Sequence, residues 1–136
     1  MNYEGDISLD ILLFKVSGVH FGVDAGQVSG IADYEGEKSD DLFWFNEELE
    51  YSDATEVYFL PSVVTIRTEC AQSYRVIVDG IEDVAEFSLN DIKLFPDLIH
   101  SFALRKGLWG ILPRNGVLVM LVDFMLLLKQ KRSEIN

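Results

Sequence analysis

Few side chains in this sequence are of the types that do covalent or metal chemistry, and their spacing says what they are for. The two histidines, His20 and His100, are 80 positions apart. Neither has a cysteine or another histidine at ligand spacing, so a zinc site is not expected. The one cysteine, Cys70, sits at a predicted turn, CAQS, and reads as an incidental thiol rather than a nucleophile. A single thiol also excludes an internal disulfide. Asp79 precedes Gly80 between two apolar runs. A catalytic carboxylate would suit that place, but Asp-Gly is ordinary turn chemistry and accounts for it. Asp123 is the most unusual acid, lying inside VLVMLVDFMLLL (117–128). Buried, it would titrate abnormally; beside a helix start, it would cap that helix by accepting backbone N–H bonds. GVHFGVDAGQVSG (18–30) is rich in glycine, but not at phosphate-loop spacing, and no Lys-Ser/Thr pair follows. These residues predict no enzyme, no cofactor and no metal.

The elements that hold these residues read mainly as strands. LDILLFKV (9–16) and VHFGV (19–23) flank Ser17-Gly18 and predict a β-hairpin. Val28 to Ile31 suits either a short helix or a further strand, because its apolar spacing is too brief to decide. ADYEGEKSDD (32–41) predicts an exposed loop, followed by an apolar island, LFWF (42–45). EVYFL (56–60) predicts a strand ended by Pro61, and SVVTIRT (62–68) and YRVIV (74–78) predict two more. SLNDIKLFPDL (88–98) reads as irregular, and SFALRKGLWGIL (101–112) as a strand with a bulge or turn at Gly107. Pro113-Arg114-Asn115-Gly116 is a turn. VLVMLVDFMLLLKQ (117–130) reads as a buried strand and then a short terminal helix. Many short strands at regular spacing point to a barrel or sandwich.

Composition narrows the partners. The chain has 136 residues, 49% of them hydrophobic, and fits one domain, 1–136, with a sizeable core. Met1 to Asp10 carries acids and no leader pattern, and Val117 to Leu128 is too short to cross a bilayer, so a soluble, cytoplasmic protein is expected. The net charge is −12, all of it from residues 1–60, which carry 14 acids against Lys15 and Lys38. Ten of those acids fall between Asp33 and Glu56, whereas residues 61–136 carry nine acids and nine bases. Nucleic acid is disfavoured, since phosphate binding needs clustered cations. Membrane insertion is not expected either, the one basic cluster being Lys129, Lys131 and Arg132. The acidic stretch reads as a solvated loop or as a docking surface for a basic partner.

The order of these features resembles the CheW-like domain of bacterial chemotaxis. Three segments carry the resemblance: ILLFKVSGVHFGVDAGQVSGI (11–31), SVVTIRTECAQSYRVIVDGIEDV (62–84) and GVLVMLVDFMLLL (116–128). The first is similar to the family's opening strand pair and its Val-x-x-Ile step. The second is similar to its paired strands ending in Val-Asp-x-Val-x-x-Val. The third is similar to its closing strand and terminal helix. The resemblance implies a mostly β fold of two interleaved, small five-stranded β-barrels with a short C-terminal helix. It implies an adaptor without catalysis, whose partners are a CheA-like histidine kinase, the cytoplasmic tip of a chemoreceptor or another CheW-like domain.

The middle of the chain departs from the family. The family's Gly-x-x-x-x-Arg-Gly segment is absent between Asp33 and Pro61, and Gly30 stands where the family commonly has an acid that pairs with that arginine. Losing both partners together is coherent, because a buried charge without its partner is costly. A remodelled second barrel is expected. Carried over by position, Val28 and Ile31 match the strand lining the family's receptor groove, and Ile81 and Val84 match apolar positions near it. The same four also suit plain core residues. Two other functions remain open: a self-associating β-module, giving a homo-oligomer through strand edges or the LFWF island, and a small-ligand-binding β-barrel.

Overall fold

The first strand is apolar on both sides. Leu12, Phe14 and Val16 point one way, Ile11 and Leu13 the other, and all five are buried. Side chains alternate across a strand, so such a strand must lie between two apolar layers. The computed structural model describes residues 7–49, 58–69 and 72–135, with side chains described as far as Lys131. Cys70, Glu50, Asp53 and Glu56 lie outside the described residues.

The elements run β1 (Ser8–Val16), β2 (Val19–Asp24), β3 (Val28–Asp33), β4 (Leu42–Trp44), α1 (Phe45–Glu48), β5 (Pro61–Ile66), β6 (Arg75–Asp79), β7 (Asp83–Ser88), α2 (Asp97–Arg105), β8 (Leu108–Arg114), β9 (Val117–Val122) and α3 (Phe124–Ile135). They form a five-stranded sheet in the order β7-β1-β2-β9-β8 and a four-stranded sheet in the order β3-β5-β6-β4. The chain builds two strands of the first sheet, leaves to build all of the second, and returns to finish the first. The molecule is thus mostly β, with two interleaved sheets and a short C-terminal helix.

The five-stranded sheet closes on itself. Lys93 exchanges two backbone hydrogen bonds of 2.8 Å with Ile111, joining the segment after β7 to β8 at the opposite edge. Ile11, Leu13, Leu112, Val119 and Leu121 fill the enclosed side. Gly22 faces the same space, where a Cβ would lie 2.6 Å from the Ile11 side chain. Both hairpins use two-residue turns with positive φ, Ser17-Gly18 and Asn115-Gly116, whose twist matches that of the strands they join. Pro113 and Arg114, predicted within that turn, belong to β8.

Among the described residues the second sheet has four strands. A larger core lies between the two sheets, with α1 and α3 packed into it through Phe45, Leu49, Phe124, Leu127 and Leu128. Asp123 does cap α3. Its carboxylate accepts the Leu126 N–H at 3.1 Å and the Gln27 side-chain amide at 2.9 Å. Gln27 in turn accepts the Phe124 N–H at 3.0 Å, which fixes the helix to the turn before β3.

Three sequence expectations are corrected. Residues 101–112 are not one strand. They are the end of α2, then Lys106-Gly107, then β8. Pro96 starts that helix and Gly107, at φ +80°, ends it with its N–H on the Leu104 carbonyl, a normal glycine stop. Of the predicted strand 56–60, the described part, Tyr58–Leu60, is not strand. The Asp79 carboxylate takes the Phe59 and Leu60 N–H groups at 3.1 and 2.6 Å, and a side-chain acceptor of this kind competes with ladder pairing. Strand β5 then begins at Pro61 rather than ending there. The LFWF island is not exposed: Phe45 is fully buried, and Phe43 packs on the core.

Candidate protein-interaction surface

In a sheet, residues paired across strands share a face, so a buried row that reaches an edge strand ends on a side chain with one neighbour missing. Two such rows face the core between the sheets. In the second sheet the row runs Phe43, Val76, Val64, Ile31. Val64 and Val76 are fully buried, yet Ile31, on the edge strand β3, is 51% exposed. In the first sheet the row runs Leu108, Val122, Val23, Leu12, Val84. Leu12 and Val23 are buried, and Val84, on the edge strand β7, is 48% exposed. The other two predicted positions, Val28 and Ile81, are half-buried and pack on that same core. All four therefore belong to the inter-sheet layer. Two are part of its packing, and two are its open ends, on edges of different sheets.

Val28 belongs to a strand, which decides between the two forms left open for residues 28–31. What holds that strand is an arginine that the sequence reading passed over. Arg67 donates from its backbone to the Gln27 carbonyl at 2.7 Å and from its guanidinium to the carbonyls of Gly26 and Val28 at 3.2 and 3.4 Å. At Gly30 a Cβ would meet nothing within 4 Å, so the space of the family's acid is open rather than filled.

The acidic segment has two kinds of carboxylate. Asp41 forms a bidentate pair with Arg75 at 2.8 and 2.9 Å, and the hydrogen bonds from Arg75 and then Ser39 hold its carboxyl well below the usual range. Glu48 accepts the buried Tyr74 hydroxyl at 2.6 Å and pairs with Lys131 at 3.0 Å. Lys131 also lies over the Phe43 ring at 3.9 Å, so this network ties α1, β4, α3 and the residue before β6 together. Burial, and then the Glu48 charge, push the Tyr74 hydroxyl far above its usual range. By contrast Asp33, Glu35, Glu37, Asp40 and Glu47 are exposed. Part of the acidic stretch is structural, and part is a solvated negative surface.

Among the described residues singled out for chemistry, His20, Asp79 and Asp123 each serve a local contact. His20 pairs with Glu82 at 3.2 Å. Asp79, nearly buried, braces the loop that displays Phe59 and Leu60. Among the described residues no group of three or more His, Cys, Asp or Glu side chains is arranged to hold a metal, and no helix is long and apolar enough to cross a membrane.

No family model matches the sequence, and no curated protein sequence matches it. Among solved structures, the crystal structure of the scaffolding protein TtCheW from Thermoanaerobacter tengcongensis matches with a TM-score of 0.66 at 12% identity, over 93% of this chain and 92% of that one. The fold is CheW-like. At that identity the likeness lies in element order and packing.

Proposed function

We propose that this chain is a non-catalytic adaptor of a chemotaxis-type signalling system. It is one CheW-like domain over residues 1–136, working in the cytoplasm and without a cofactor. Its partners are a CheA-like histidine kinase, the cytoplasmic tip of a chemoreceptor or another CheW-like domain. The observation that carries this reading is the likeness to a scaffolding protein over 93% of the chain. The exposed ends of two core rows, Ile31 and Val84, add to it. An adaptor needs rigid apolar side chains that a partner can cover, and a row end anchored on buried neighbours meets that need without an ordering cost on binding. Val28 and Ile81 position these ends from within.

The test is a calorimetric titration of the full chain against the regulatory domain of a CheA-type kinase and against a receptor-tip fragment. Saturable binding to at least one is expected, weakened at least tenfold in the double variant Ile31→Glu, Val84→Glu, with an unchanged circular dichroism spectrum. Absence of binding to both partners overturns the coupling role.

A further inference from the structure

Helix α2 shows its apolar residues to solvent. Leu98 is 95% exposed, Phe102 58% and Leu94, one turn before the helix, 69%, and Ile99 beside them is also exposed. Of the nine helical residues only Ala103 is buried. Leu98 and Phe102 are spaced by four on the helix, so they form one ridge. Beside the ridge lies an apolar groove of about 360 Å³, lined by Val19, Phe21, Leu49, Leu108 and Met120, with Phe102 as one wall and Lys106 at its rim. Ridges of this kind are ordinarily covered.

Charge says by what. Asp97 stands in the first turn of α2, and Arg105 and Lys106 stand at its end, both cations lying over the Phe102 ring at 6.0 and 5.7 Å. Asp97 marks one end of the ridge, and Arg105 and Lys106, which share a pocket with Glu47 and Glu48, mark the other. A ridge with that polarity is self-complementary under a two-fold axis. Two copies of α2 laid antiparallel bring Leu98 of each against Phe102 of the other. Asp97 of each then lies near Arg105 and Lys106 of the other. Opposed helix dipoles favour the same arrangement, whereas a parallel pairing sets like charges together.

We infer that α2 and its groove form a two-fold interface with a second copy of this chain. The surface is distinct from the row ends at Ile31 and Val84 and uses different strands. The ridge offers roughly 500 Å² of apolar surface per copy, below the ~800 Å² of a standard interface, so the dimer is weak, with a dissociation constant on the order of 100 µM. The net charge of −12 opposes pairing, and Glu47 and Glu48 stand beside the cationic end of the surface, but salt at 0.15 M screens charges more than about 8 Å apart.

The test is sedimentation equilibrium of the full chain alone, from about 5 µM to 1 mM at 0.15 M salt. A reversible monomer–dimer equilibrium is expected. Leu98→Glu, at a fully solvated position where the fold does not depend on the side chain, should weaken it at least tenfold with an unchanged circular dichroism spectrum. The pair Arg105→Glu, Lys106→Glu should weaken it about fivefold by setting acid against Asp97. Adding Asp97→Lys should restore it, which a merely structural role of these residues would not do. A monomer up to 1 mM overturns the inference, even if Leu98→Glu impairs binding of a kinase domain. A dimer indifferent to Leu98→Glu also overturns it. Because no kinase or receptor is present, neither outcome bears on coupling to those two partners.

Discussion

The two sheets of this molecule are held by different forces. The five-stranded sheet is closed by backbone hydrogen bonds between Lys93 and Ile111, and its interior is filled by aliphatic side chains. The connections of the four-stranded sheet are fixed by polar side chains: Asp79 holds the Phe59 and Leu60 N–H groups, Arg67 the Gly26 and Val28 carbonyls, and Asp41 the Arg75 guanidinium. Non-directional burial tolerates little error in volume but great latitude in residue identity. Polar clasps demand a particular residue at a particular place. One half of the fold is therefore written as a pattern, and the other as a set of individual residues.

The contrast can be tested by substitutions whose effects should differ in size and in reach. Leu121→Ala, inside the closed sheet, should cost about 3 kcal/mol in denaturant unfolding and act globally, since it removes buried area and leaves a cavity. A loss under about 1 kcal/mol would mean that the closed sheet is loosely packed. Asp79→Ala should cost about 2 kcal/mol, the penalty for two stranded backbone donors in a partly buried place. Hydrogen exchange should quicken at Phe59 and Leu60 while β1 and β2 keep their protection; uniform loss would erase the distinction between the sheets.

Tyr74→Phe should cost about 1.5 kcal/mol by removing a hydrogen bond to the charged Glu48. Because burial and Glu48 raise the Tyr74 pKa, the folded chain keeps a proton that the unfolded chain loses. Stability should therefore fall as the pH rises above about 10, and the phenylalanine variant should lack that dependence. Asp41→Asn should cost about 0.5–1 kcal/mol, as expected of a partly exposed pair. The lowered Asp41 pKa means that its contribution is present above about pH 4 and is lost as the pH falls through the folded value, so melting curves of the two proteins should converge in acid. Gly30→Glu should change stability by less than about 0.5 kcal/mol, because its side chain enters open space; a larger loss would show that the edge of β3 is closed after all.

Much of the fold was legible before the structure. The 9–16 strand follows from its run of branched and aromatic residues, and the Ser17-Gly18 and Asn115-Gly116 turns and the Asp123 cap from residues with narrow backbone preferences. Helix α2 was not legible as a helix. Its apolar residues face solvent rather than a core, so the usual inward stripe is missing, and Gly107 suits a bulge or turn within a strand as well as the helix stop that it is. The residues 58–60 were misassigned because the group that unmakes their strand, Asp79, lies about 20 positions further along the chain.

The site divides in the same way. The sequence by itself determined which residues are apolar, that the catalytic residue types are scattered, and that the negative charge is confined to the first 60 positions. It placed Val28, Ile31, Ile81 and Val84 among apolar positions, without saying which are filled space and which are surface. Only the tertiary structure decided that Val28 and Ile81 are packed while Ile31 and Val84 end their rows in solvent. The physical reason is that alternation within a strand fixes the face of a side chain, whereas exposure on that face depends on whether another strand comes next. That is settled by pairing across the sheet, between residues that local spacing does not connect.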